Sequence, residues 1–166
     1  MARLFLAVSP PPGVLDALAA LPRHDERGVR WTTRERWHVT LRFLGAADPD
    51  DVVRALGSCL LPSAHACVGP RIRRLGRGLI IAPVGGLDAL AAAARQATLA
   101  LGQPLDPRPF TGHITLARMR RRGACRLIGH RVSRSFDVAE IVLVDSEQHP
   151  DGSRYTELAR FPLGAL

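Results

Sequence analysis

Two short segments carry a histidine and a threonine two residues apart in an otherwise apolar, β-favouring setting. They are His38 and Thr40 in WHVTLRFLG (37–45), and His113 and Thr115 in FTGHITLAR (110–118). Side chains alternate faces along a strand, so the members of each pair point the same way. In the first segment Trp37, Val39, Leu41 and Phe43 then fill the core side, leaving His38, Thr40 and Arg42 towards a cleft or solvent. In the second, Ile114 and Leu116 face the core, and the same alternation turns Arg118 away from His113. With 6 histidines and 7 threonines in the chain, chance supplies about a quarter of one His-x-Thr. Two copies, each followed by leucine, therefore mark a site.

Two imidazoles that titrate near neutrality can act as an acid–base couple. One, unprotonated, takes a proton from a nucleophile; the other, as imidazolium, gives one to a leaving oxygen on the opposite side. In-line displacement at phosphorus has this geometry. The threonine hydroxyls, with arginines, would hold the equatorial oxygens as charge builds. Two histidines and two threonines lack the thiolate or carboxylate that usually completes a zinc site, so neither a metal nor any other cofactor is expected. Cys59, His65 and Cys67 lack a fourth ligand and fit no common metal spacing. His24, His130 and His149 fall in expected loops.

The elements that must position these residues are legible as periodicities. RLFLAV (3–8) reads as a buried strand and VLDALAAL (14–21) as a short helix. Residues 29–33 suggest a brief strand ahead of the first motif. Asp48 before Pro49 is an N-cap signal, and the helix it starts would carry Val52, Val53, Leu56, Cys59 and Leu60 on one stripe. Residues 62–70 read as a loop, and RIRRLGRGLIIAPV as two strands around a Gly-Arg-Gly turn. Gly85-Gly86 opens a helix bearing Leu87, Leu90, Ala94 and Leu101, and a proline-rich loop (104–109) precedes the second motif. FDVAEIVLVDSEQ and RYTELARFPL form a strand pair around HPDGS. Strand, helix and His-x-Thr strand thus occur twice, as in an internal duplication within one domain spanning 1–166.

Composition bounds the partners. The chain has 166 residues and a formal charge of +8, and all 23 basic residues are arginine. The absence of lysine excludes a lysyl–nucleotide intermediate, a Schiff base and a phosphate-loop lysine. Arg71, Arg73, Arg74 and Arg77 come without an acid among them, and residues 118–134 hold seven arginines and no acid. Such patches suit a polyanion such as nucleic acid. LFLAV is too short for a signal-peptide core, and no apolar run is long enough to span a membrane. Three cysteines make no disulfide framework and suit a reducing cytoplasm.

With RLFLAV, WHVTLRFLG, F-x-x-HITLAR and the tail LVDSEQHPDGSRYTELARFPL, the sequence resembles the two-histidine phosphoesterases, in particular the RNA 2′,3′-cyclic phosphodiesterases long called 2′-5′ RNA ligases. The resemblance implies a bilobal α+β fold in which two pseudo-symmetric lobes of antiparallel sheet, with outer helices, flank a cleft. It implies that His38 is the proton donor and His113 the proton acceptor, with Thr40 and Thr115 beside them. The substrate would be RNA ending in a 2′,3′-cyclic phosphate, opened to a 2′-phosphomonoester, with weak ATP-independent 2′-5′ ligation in reverse. Arg42, Phe43, Arg118 and Tyr155 are candidates for substrate binding, although parity favours core packing for Phe43. The chain departs from the family in having Gly112 where proline commonly precedes the second histidine and in lacking tryptophan in LIIAPV, and it carries Phe136 where an aromatic, often tryptophan, is usual. The expected molecule is a monomer with no obligate protein partner. The alternatives are a phosphodiesterase for small cyclic nucleotides or ADP-ribose cyclic phosphate, and a non-catalytic RNA-binding module.

Overall fold

Strand β1 (Arg3–Val8) is apolar at every position after Arg3 and is buried along that whole length. It lies antiparallel between β3 (Val39–Ala46) and β9 (Glu140–His149). A hairpin returns from β9 into β10 (Gly152–Pro162), which closes this side. Beyond β3 the sheet continues through β7 (His113–Met119), β6 (Leu79–Gly85), β4 (Ala64–Val68) and β8 (Arg134–Val138). The short β2 (Val29–Trp31) pairs with β7, and β5 (Arg73–Leu75) pairs with β6. The computed structural model describes residues 3–120 and 123–164, so Arg121 and Arg122 of the second arginine run lie outside the described residues.

All the pairings are antiparallel, and with three helices the molecule is α+β as expected. Four strands of the main path lie on each side of the β3–β7 junction, which is a single residue pair, Val39 with Ile114. The two sides are not the two halves of the chain. The first lobe is completed by β9 and β10, from the C-terminal end, and β2 crosses to pair with β7 in the second.

The helices α1 (Pro12–Ala19), α2 (Pro49–Gly57) and α3 (Asp88–Ala97) share one buried core with Leu4, Leu6 and Val8 of β1. Each fully buried leucine or isoleucine there is worth about 1.5–3 kcal/mol. Phe5 and Ala7 point to the other face of the sheet, where they form a separate cluster with Val142 and Val144 of β9. The α2 cap is as expected, the Asp48 carboxylate accepting the Asp50 N–H at 2.9 Å. The apolar stripe is shorter than its spacing suggests: α2 stops at Gly57, only Val52 and Leu56 are buried on it, and Val53, Cys59 and Leu60 are exposed. The segment read as a loop contains β4, whose inward residues are Ala66 and Val68. Five residues between prolines are too few for a clear periodicity, and pairing with β6 and β8 is what makes them a strand.

Both motif strands break the simple alternation at the same place. On β3, Ala7 pairs with Thr40 and Leu6 with Arg42, so Leu41 is an extra residue. On β7, Ile81 pairs with Thr115 and Ile80 with Ala117, so Leu116 is extra. A bulge of one residue exchanges the faces of everything beyond it. Phe43 is therefore exposed (37%) and Arg42 buried (4%), the reverse of the expected arrangement. Arg118 likewise turns outward, onto the side that carries His113.

Arg42 is thus corrected from a cleft residue to an anchor. Its guanidinium donates to the carbonyls of Thr98, Leu101 and Gln103 at 3.3, 2.8 and 3.0 Å, and to the Thr98 hydroxyl at 3.2 Å. These groups lie just past the C-terminus of α3, where helix carbonyls lack partners and a cation is favoured. The loop that Arg42 secures leads directly to the second motif. Arg42→Leu should strip these donors and cost about 2–3 kcal/mol, lowering Tm by roughly 5–10 °C for a domain of this size. Thermal unfolding of the variant beside the parent checks this, with Arg42→Lys expected to fall between them.

Candidate active site

His38 follows a single 3-10 turn (Arg34–Arg36) and immediately precedes β3, while His113 opens β7. The Val39–Ile114 pair lies between the motifs. Continuing its antiparallel register by one residue each way sets His38 against Thr115 and Thr40 against His113. On that continuation the four side chains share one face and the two histidines are diagonal neighbours, positions whose Cβ atoms in a regular ladder lie roughly 7 Å apart.

Each imidazole is oriented in the same way. His38 Nδ1 donates to the Arg36 carbonyl at 2.6 Å, and His113 Nδ1 to the Thr111 carbonyl at 2.7 Å, in both cases two residues upstream. A carbonyl can only accept, so the proton sits on Nδ1 in the neutral ring and the Nε2 lone pair is left free. For His38 that Nε2 lies 2.9 Å from the Thr40 hydroxyl, which donates to it while the ring is neutral. These carbonyls were invisible in the sequence, because a backbone contact leaves no mark on residue type. Gly112, buried beside Val84 and bonded to it (Val84 N–H to Gly112 carbonyl, 2.9 Å), fixes the entry to β7. A side chain at 112 would collide with the Val84 carbonyl.

His38 sits in an aromatic corner. Phe5 stacks on its ring at 4.8 Å, and Tyr155 meets it edge-on at 5.5 Å. Tyr155 thus borders the motif from β10. Phe5 gave no signal of its own, since a strand apolar on both faces hides which residue looks outward. A small hollow of about 170 Å³ lies here, with Phe5, Tyr155, Glu35 and Glu157 among its walls. On the other side a hollow of about 1020 Å³ reaches Thr40, Phe43, Phe110, His113 and Arg118, so two residues expected to point elsewhere, Phe43 and Arg118, share it with His113.

Burial holds the His38 pKa below the ordinary imidazole value; a charged His113 pushes it the same way, while the bond to the Arg36 carbonyl opposes them. Because the folded value is depressed, the unfolded chain takes up this proton first as the pH falls. His38 therefore contributes no penalty above about pH 6.5 and a growing one below it, until the folded-state pKa is passed. Denaturant unfolding between pH 7.5 and 5 should show a shallower loss of stability in His38→Gln than in the parent; identical slopes would mean that His38 is not desolvated.

The first part of the chain, residues 7–60, matches the family model described as LigT like Phosphoesterase. A curated relative, RNA 2′,3′-cyclic phosphodiesterase of Geobacillus stearothermophilus, is 30% identical over 171 aligned positions covering 89% of this chain; the chain spans about half (50%) of the length of that relative. Among solved structures, E. coli LigT complexed with 3′-AMP superposes with a TM-score of 0.79 at 25% identity, over 99% of both chains. TT0787 of Thermus thermophilus superposes with a TM-score of 0.78 at 30% identity, over 97% of both. With one fold shared along nearly its whole length and the first motif inside the matched segment, the chain is similar to the LigT-like phosphoesterases in sequence over residues 7–60 and in fold throughout.

Proposed function

We propose that this protein hydrolyses the 2′,3′-cyclic phosphate at the end of an RNA to a 2′-phosphomonoester, by paired-histidine acid–base catalysis that requires no metal. The observation that carries the reading is the matched presentation of two imidazoles across the β3–β7 junction. Each is tied through Nδ1 to a carbonyl two residues upstream, leaving Nε2 for chemistry. The relative that bears a cyclic phosphodiesterase name and the LigT structure that holds 3′-AMP both support a nucleotide phosphate as the ligand.

In this mechanism His113 Nε2 takes a proton from water as the water oxygen attacks phosphorus. The P–O3′ bond breaks on the opposite side, and His38 Nε2–H delivers its proton to the departing O3′. One P–O bond forms and one breaks, leaving a 3′-hydroxyl and a 2′-phosphate. Thr40 and Thr115 hold non-bridging oxygens, and Arg118 on the same side offsets the developing charge. His38 must be protonated to act, yet burial disfavours its cation in the free protein. A bound phosphate anion opposes that effect and raises the His38 pKa when the donor is needed. With a 5′-hydroxyl in place of water, the same displacement of O3′ yields a 2′-5′ linkage.

With cyclic-phosphate-ended RNA in excess chelator, turnover should persist, and His38→Ala and His113→Ala should each lower kcat at least ~100-fold. End analysis of the product should find phosphate only at the 2′ position. The pH profile should be bell-shaped, with the His38 limb at higher pH for kcat than for kcat/KM, because the substrate anion raises that pKa. Retained turnover in either alanine variant removes that histidine from the mechanism.

A further inference from the structure

The positive charge of the chain is segregated. Residues 64–138, the segment that builds β4 to β8 and α3, contain 13 arginines against three acids, Asp88, Asp106 and Asp137. The rest of the chain contains ten arginines against 12 acids. The overall +8 is therefore +10 on one segment and −2 on the remainder.

Among the described arginines of this segment, only Arg108 pairs with a carboxylate. Among the described residues, arginine–carboxylate pairs involve Arg34, Arg54, Arg108 and Arg160. Arg118 and Arg77 lie on the large hollow. Arg71, Arg73, Arg131 and Arg134 are exposed on the same lobe, with Arg74 donating to the Gly123 carbonyl at 2.6 Å and Arg71 to the Gly129 carbonyl at 3.1 Å. Arg71 is bridged through its backbone to Arg131. Bonds to carbonyls fix such groups in place without cancelling their charge, so a field of several like charges faces solvent beside the site. On the far side of His38 the hollow is about six times smaller and is rimmed by Glu35 and Glu157. Of these two acids, Glu157 pairs with Arg160, so the small hollow is near neutral while the large one borders the arginine-rich lobe.

Resting on the hydrolase reading above, we propose that the substrate is a single-stranded polyribonucleotide whose body runs from the histidine pair over the β4–β8 lobe. Its last bases lie against Phe43 and Phe110 in the large hollow, and its upstream phosphates follow the arginines from Arg118 and Arg77 towards Arg131. The hollow is larger than a terminal phosphate requires, and exposed Phe43 with half-buried Phe110 offers aromatic surface for sequence-tolerant stacking. The acid-rimmed pocket beyond His38 is where the strand ends.

Steady-state kinetics on a 2′,3′-cyclic mononucleotide and on cyclic-phosphate-ended oligonucleotides of two to ten residues test this. The proposal expects KM to fall with length by at least tenfold. A variant with Arg73→Gln, Arg131→Gln and Arg134→Gln, all outside the large hollow, should raise KM for the longest substrate about tenfold. It should leave the mononucleotide rate unchanged, which also shows that it folds. Binding of a 3′-phosphate-ended ten-residue RNA, followed by fluorescence anisotropy, should lose roughly 2 units of salt slope, since each phosphate contact contributes about 0.7. Neutralising Arg54 and Arg154 on the other lobe should change neither reading. Equal KM at every length, or equal effects of the two variants, overturns the strand path while leaving the hydrolase intact. Failure to turn over any cyclic phosphate overturns the hydrolase instead, and the anisotropy series still decides the path.

Discussion

The site depends on one junction, where Val39 of β3 meets Ile114 of β7. Among the described residues it is the one pair that joins the two sets of strands on the main path, and it occurs where each strand begins, beside its histidine. Because side chains on paired strands share faces in register, a slip of one residue would send one His-x-Thr pair into the core while the other stayed outside. The apolar partners of the motifs prevent that slip: Val39, Leu41, Ile114 and Leu116 are all buried, and exposing them would forfeit several kcal/mol. Core packing on one face thereby sets the spacing of the imidazoles on the other.

The two bulges extend the same logic. Placed just after each motif threonine, they let the strands start with reactive groups on the cleft face and continue with different residues there. On β3 the exchange brings Phe43 to the hollow and sends Arg42 inward to hold the carbonyls beyond α3; on β7 it brings Arg118 outward. An arginine can be buried at this position because four acceptors meet its guanidinium, which offsets part of the cost of removing it from water. The result ties the first motif strand to the loop that leads into the second.

Electrostatics divide the molecule along the same line. The apolar cluster of Phe5, Ala7, Val142 and Val144 lies under His38 and disfavours its charged form, whereas the other lobe carries the excess arginine.

Residue types and short-range periodicity alone determined the duplicated His-x-Thr, the strands that carry it, the Asp48 cap, the closing hairpin and the lack of lysine chemistry. They were legible because each depends on local backbone preference or on the presence of a residue. Strand β4 was not legible, since five residues between prolines acquire a strand conformation only from their neighbours. The orientations of Arg42, Phe43 and Arg118 were misread because a bulge is a property of the pairing between two strands, and neither strand records it separately. Phe5 beside His38, the two orienting carbonyls and the segregation of charge across the cleft likewise exist only once distant segments meet. Chemistry was written in the residues; which of them share a face was decided by the register of the assembled sheet.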